Sequence, residues 1–236
     1  MADIVQKEHL TGDSTIADNL FSLLSEEIIQ GIREPGEKIN ELELAERFGI
    51  SRSPIREAIR RLEERNLVVR KSWAGVRVVS ISLAEGLMIY DVREALESKA
   101  CELAASNITE SELARLRELL AEHEQRSETP SQPEDGSTIG LEFHSIITKA
   151  SRNDHLISLL CDNYFYQMSI MKEFIKLPYR RNKQSFMEHF LIISALRDRD
   201  PQMAFLAMRQ HIKSSRKLYK ELNEIRPSSG IPDESA

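Results

Sequence analysis

Residues 35–68 read PGEKINELELAERFGISRSPIREAIRRLEERNLV, and the architecture of the N-terminal part of the chain follows from this stretch. Asn40 stands before Glu41-Leu42-Glu43, an N-cap with an acid three positions on, as in a capping box, so a short helix is expected to run to Phe48. Gly49 supplies its left-handed stop. Ser51 or Ser53 then caps a further helix, and Pro54 falls in the first turn, where a missing N–H costs nothing. Ile55, Ile59 and Leu62 form that helix's apolar face, while Arg52 and Arg56, four apart, project together from another. Upstream, Ile16, Leu20, Leu23, Leu24 and Ile28 make a helical stripe that ends near Gly31, and Glu34-Pro35-Gly36 is a turn. Downstream, Leu67-Val68-Val69 and Val76-Arg77-Val78-Val79 are short β-rich runs around RKSWAG, whose Gly75 permits a tight turn; this predicts a hairpin. Three short helices followed by a hairpin form a winged helix-turn-helix.

Charge supports that reading once its distribution is considered. The chain of 236 residues carries 32 basic and 38 acidic side chains, a formal net charge of −6, which by itself argues against a nucleic-acid partner. Between Ser51 and Arg77, however, eight basic residues face three acids, so this segment carries +5 and the remainder −11. A basic block on an acidic protein is the footprint of a polyanion-binding module attached to something else. Hydrophobic residues make up 41% of the chain, enough for a real core. The longest apolar run, Met203–Met208, spans six residues, against the roughly 20 of a membrane helix. The N-terminus has no apolar segment of the kind a secretory signal needs, so a cytoplasmic location is expected. Cys101 and Cys161, far apart and outside any C-x-x-C pattern, read as buried small hydrophobes in a reducing compartment.

After Ser80 the composition changes. From Leu83 to Arg226 there are three glycines and no strand-like alternation. Helical periodicity predicts helices at about 83–106, 109–126, 138–150, 154–176, 180–198 and 201–222. Asp200-Pro201 is an N-cap and N1 pair for the last of these, and 127–138 contains no apolar side chain and reads as a loop. The fold class is therefore mainly α, a winged helix-turn-helix (14–80) followed by an antiparallel six-helix bundle (81–225), with disordered tails at 1–13 and 226–236.

The two parts carry different chemistry. The N-terminal end of a recognition helix enters the major groove, where a guanidinium binds guanine O6 and N7 bidentately; Arg52 and Arg56 occupy that end here. Ser51 and Ser53 can cap the helix or bind phosphate, and Lys71, Trp73 and Arg77 on the hairpin reach the adjacent backbone or minor groove. Arg61 and Arg65 read as members of a solvated charged face with Glu57, Glu63 and Glu64. In the bundle, His144, His189 and His211 lie within apolar stripes of three different helices. Three neutral imidazoles converging there would bind a divalent metal and leave positions open for water or an anion, whereas unrelated burial of each is the plainer alternative. His9, His123 and His155 read as solvated or capping residues. Arg93, one turn from Tyr90 and from Glu97, is either an i, i+4 ion pair or a clamp for a ligand carboxylate.

The 35–68 stretch resembles, nearly end to end, the DNA-binding domain of the GntR family of bacterial transcription regulators. The resemblance implies that Arg52, Ser53 and Arg56 contact bases and phosphates, and that Gly75 lies in the wing near the minor groove. Leu42 stands where some members have a base-contacting arginine, and Asn66 replaces the glycine usual before the wing, although Asn tolerates the left-handed conformation. Residues 83–222 resemble the FCD ligand-binding domain of the FadR subfamily, in its six-helix, VanR-like branch, through YDVREALE (90–97), EFHSIITKASRN (142–153), MEHFLIISALRDRD (187–200) and AMRQHI (207–212). That likeness implies a zinc site, with nickel as the alternative, on His144, His189 and His211, and an effector site with Arg93, Tyr90, Asn153 and Tyr164. The family's aspartate ligand corresponds to Gly140.

The expectation is thus a transcription regulator, a repressor in preference to an activator. It would bind a palindromic double-stranded DNA operator as a homodimer and respond to a small carboxylic acid. Two rivals remain: a metal-dependent hydrolase built on the three histidines, and a regulator whose bundle only dimerises.

Overall fold

The computed structural model describes residues 15–127, 136–173 and 179–225; both expected tails and most of the expected 127–138 loop lie outside the described residues. In chain order the elements are α1 (Ile16–Ile29), β1 (Lys38–Ile39), α2 (Glu41–Phe48), α3 (Arg52–Glu64), β2 (Val68–Lys71) and β3 (Gly75–Val78). There follow α4 (Leu83–Asn107), α5 (Glu110–Ser127), α6 (Gly136–Ala150) and α7 (Asp154–Ile157). A π-helical segment (Ser158–Tyr164), α8 (Phe165–Glu173), α9 (Tyr179–Arg197) and α10 (Pro201–Ile225) complete the chain. The fold is mainly α, with one small sheet. Two compact units result: the first ends at Ser80 and also takes in Tyr166–Glu173, and the second begins at Ile81.

In the first unit the apolar stripes do what their spacing requires. Leu20, Leu24 and Ile28 of α1, Leu44 and Phe48 of α2, and Ile55, Ile59 and Leu62 of α3 are all buried. A buried carboxylate pins this core: Glu27 accepts from Arg33 Nε at 2.7 Å and from Arg47 Nη2 at 2.9 Å, tying α1 to α2 and to the turn after α1. Asn40 caps α2 through Leu42 N (3.0 Å), but the reciprocal bond of a capping box is absent there among the described residues. The reciprocal boxes lie elsewhere, at Thr15/Asp18 and Ser82/Glu85. Hydrogen bonds from Thr15 and then Arg61 hold the Asp18 carboxyl at about 2. Gly49 and Asn66 both adopt positive φ, 64° and 53°, as their side chains allow.

The wing has three strands rather than two. β1 pairs antiparallel with β3 (Lys38↔Arg77, Ile39↔Val76), and β3 pairs with β2 (Val68↔Val78, Lys71↔Gly75). Two residues carry too short a pattern to announce a strand, so β1 exists only through its long-range partner.

In the second unit α4 and α10 run antiparallel. Arg209 pairs with Glu94 and Arg216 with Asp91, both at 2.8 Å, and Tyr219 packs against Tyr90 with ring centroids 5.4 Å apart. Gly86 makes this approach possible, because a Cβ there would overlap the Tyr219 ring and hydroxyl. Helix propensity alone would make Gly86→Ala stabilising by about 1 kcal/mol. Overpacking against a buried tyrosine costs about 1–3 kcal/mol, so the variant is expected to unfold at lower denaturant than wild type. An unchanged or raised urea midpoint would show that Tyr219 swings away freely.

The helix expected at 154–176 is interrupted by the π segment, which periodicity does not register because the apolar stripe runs on through it. Its later part, Tyr166–Glu173, joins the first unit, where Tyr166 meets Phe21 edge-on at 6.2 Å. Of the two cysteines, Cys101 is fully buried, and burial followed by the Glu97 charge pushes its thiol well above the usual range. Cys161 is only half-buried.

Candidate functional site

The exposed face of the first unit is built by α2, α3 and the wing. Ser51 occupies the N-cap position of α3 but makes no capping hydrogen bond, so the α3 N-terminus and the exposed Ser51 and Ser53 hydroxyls open to solvent. Arg52 is exposed and has no ion-pair partner among the described residues. Arg56 does have an acidic neighbour, contrary to the expectation from its own helix: its Nε donates to Glu41 Oε2 of α2 at 2.9 Å. That bond engages one edge of the guanidinium and leaves Nη1 and Nη2 for an outside partner. Leu42, also on α2, is half exposed. The remaining arginines form the expected charged face with different partners. Arg60 pairs with both Glu57 and Glu64, and Arg61 reaches Asp18 on α1 and lies 4.5 Å over the Phe21 ring.

On the wing, Lys71 and Gly75 are exposed at either end of the turn, and Gly75 has φ +75. Arg77 is partly committed: its Nη1 donates to Gly36 O at 2.8 Å, fastening the strand to the turn that precedes β1, so its role is at least partly structural. Trp73 stands at the tip with φ 69 and is fully exposed. For a bulky L-residue this backbone costs about 1–2 kcal/mol.

In the second unit the three histidines converge. His144 on α6, His189 on α9 and His211 on α10 are buried, and one ring nitrogen from each lies within 4.8 Å of the others. His211 Nε2 is 3.2 Å from His144 Nε2. Carboxylates hold the opposite edges of both rings: His144 Nδ1 is 2.6 Å from Glu97 Oε2, and His211 Nδ1 is 2.8 Å from Glu188 Oε2. A carboxylate only accepts, so both Nδ1 atoms carry the proton and both Nε2 atoms present lone pairs. Facing lone pairs at that distance repel unless a cation or a shared proton lies between them. Two nitrogens of a tetrahedral zinc site, each at 2.0–2.1 Å from the metal, stand about 3.3 Å apart, so the donor set fits a divalent metal. His189 is oriented differently, its ring stacked on Phe143 at 4.1 Å.

Arg93 joins this centre through Glu97. It is 4% exposed, its Nε donates to Glu97 Oε1 at 2.6 Å, and its guanidinium lies 5.1 Å over the Tyr90 ring. The ion pair considered as the plainer alternative is therefore present, and it forms one link of a chain Arg93–Glu97–His144–His211–Glu188. Burial opposes charge on Glu97, but Arg93 and then His144 overcome it and hold the carboxyl well below the usual carboxylate range.

Other candidates fall apart from the centre. Asn153 Oδ1 accepts from His155 N (3.1 Å) and Leu156 N (3.2 Å), the capping role that was its alternative, and Tyr164 closes the π segment half-buried. Among the described contacts neither touches the histidines. His155 is exposed, and His9 lies outside the described residues. His123, expected to be solvated or capping, is half-buried with its ring 5.5 Å from that of His189. Sequence reasoning missed Glu188 altogether and found no acid placed to serve these histidines. Two acids are in place, and both are engaged in orienting imidazoles.

Known proteins agree on the identity of both units. The pattern of the bacterial regulatory proteins of the gntR family matches residues 16–78, and that of the FCD domain matches residues 88–214. The HTH-type transcriptional regulator YdhC of Bacillus subtilis is 36% identical over 140 residues, 59% of this chain and 62% of its own length, so the chain spans less than two thirds of that relative. The Uxu operon regulator of Haemophilus influenzae is 29% identical over 219 residues, covering 86% of this chain and 81% of its own. Among solved structures, E. coli McbR/YncC shares the fold with a TM-score of 0.72 at 21% identity, over 89% of this chain and all of that one.

Proposed function

The chain belongs to the GntR family of bacterial regulatory proteins and carries an FCD domain, and from that premise we propose an effector-controlled repressor that binds a palindromic operator as a homodimer. It is a transcription regulator and not an enzyme, as its relatives are. Among the described residues no helix is long and apolar enough to cross a membrane, and the protein works in the cytoplasm on double-stranded DNA.

The observation that carries the sensing half is the histidine centre. Its two Nε2 atoms face one another at 3.2 Å with their rings held by Glu97 and Glu188. We read His144, His189 and His211 as the ligands of a zinc or nickel ion. Gly140, one turn before His144, supplies no carboxylate, so three protein ligands leave a coordination position open. When bound, the metal would supply a Lewis acid for an anionic oxygen. Arg93, with Tyr90 against its guanidinium, stands ready beside Glu97 to receive the other end of a small carboxylic acid. Arg52, Arg56, Ser51, Ser53, Lys71 and Gly75 form the DNA-facing surface, with Arg77 bracing it.

The dimer follows from the size of the reading element. One short helix reaches only a few base pairs, and two-fold sites mirror two-fold proteins. The test is selection of duplexes from a random pool, followed by sedimentation of the complex and a thermal-shift screen of organic acids with and without zinc. The expected result is a palindromic duplex holding two copies of the chain, and an acid that shifts melting only when metal is present. A single copy bound to a site without symmetry would overturn the dimer. An acid that acts equally without metal would overturn the metal-linked sensor.

A further inference from the structure

We infer that Trp73 is a DNA-contacting residue that enters the minor groove beside the half-site read by α3; the inference rests on the reading of this chain as a DNA-binding regulator. Three observations converge. The indole at the wing tip is exposed over its whole surface (106% relative to the extended reference), so folding gains nothing from it. Its backbone has φ 69, a conformation that suits glycine and penalises a bulky side chain, so the fold is strained to place an aromatic at this point. The turn KSWAG at 71–75 contains no acid. Around it, Lys71 is exposed and the Lys38 stem lies against Gly75. The acids nearest in sequence are already engaged, Glu63 by Arg70 at 3.0 Å and Glu37 by Arg33 at 2.8 Å. An exposed aromatic ringed by cations suits a polyanion with an apolar slot. The minor groove fits that description, with phosphates along its walls and sugar and base edges at its floor. Proteins that read it insert apolar side chains between or along base steps.

The rival occupants are a second copy of the chain or another protein. An indole buried against a second copy would be shielded before DNA is added.

The chain contains one tryptophan, so its intrinsic fluorescence reports on this position alone. The experiment titrates wild type with the duplex that it selects from a random pool and follows emission and acrylamide quenching. Trp73→Gly, which suits the positive φ, and Trp73→Phe are measured beside it by gel shift. The expected result is an indole open to acrylamide in the free protein and shielded with altered emission at saturating duplex. Affinity should fall about tenfold in Trp73→Gly and be largely restored in Trp73→Phe. Trp73→Gly should melt no lower than wild type. Tight binding with unchanged emission and unchanged quenching would overturn the inference, as would equal affinity of Trp73→Gly. Shielding that is already complete without DNA would assign Trp73 to a protein interface and overturn it too. Failure of wild type to select any duplex would overturn the DNA-binding reading along with it.

Discussion

His211→Ala is expected to abolish retention of a divalent metal and, with it, the response to effector. Its ring supplies one of three converging nitrogens, and its Nε2 lies 3.2 Å from that of His144, so its loss removes a ligand and leaves two donors, a number that rarely holds zinc. Saturating wild type with zinc at about a hundred times its dissociation constant should stabilise the fold by about 2.7 kcal/mol; the variant should gain nothing. Glu188→Ala tests the same centre from outside. The carboxylate touches His211 Nδ1 at 2.8 Å, so its loss frees the ring to turn and to change tautomer. Metal affinity should fall about 10–100-fold while the three histidines remain. Metal content by mass spectrometry and melting with zinc or nickel decide the matter. Purified wild type that carries no metal, and whose melting neither ion shifts, would remove the metal from the mechanism. The histidine chain would then be a buried hydrogen-bond network with a shared proton.

The second large effect lies on α3. Arg52→Ala and Arg56→Ala should each weaken binding to the selected duplex by about 1–3 kcal/mol and relax the preference at one base pair per half-site. For Arg56 the structure adds a condition that the helix alone does not supply: Glu41 holds the guanidinium by its Nε edge. Glu41→Ala should therefore loosen base discrimination at the Arg56 position even as it removes a negative charge from the DNA-facing surface. Lys71→Ala is the control, expected to weaken all sequences alike and to lower the salt slope by about one. Titrations against the selected duplex and its single-base variants, at two salt concentrations, separate these outcomes. Unchanged affinity in both arginine variants would mean that α3 is not the reading helix.

Where local physics suffices, the sequence was enough. Gly49 stops α2, Asn40 caps it, Ser51 stands before α3, and Asn66 takes the left-handed turn, because each of these is a statement about a few consecutive residues. Arg52 and Arg56 share a face because they lie four apart on one helix. His144, His189 and His211 could be placed on inward faces by the apolar residues around them, since periodicity reports which side of a helix is buried. What periodicity does not report is which helix lies opposite, and each correction concerns that. β1 is a strand only because Val76 and Arg77 lie beside it. Arg56 meets Glu41 from a different helix, and Arg77 is drawn to Gly36 O, 41 residues away. The π segment leaves no mark on the apolar stripe that runs through it. Glu188 is the sharpest case. It precedes His189 in the chain, yet neighbours on a helix point about 100° apart, so it serves His211, 23 residues further on. Secondary structure and the polarity of each face are local and were legible. The partners across the core, and hence which acid orients which imidazole, are set by helix packing.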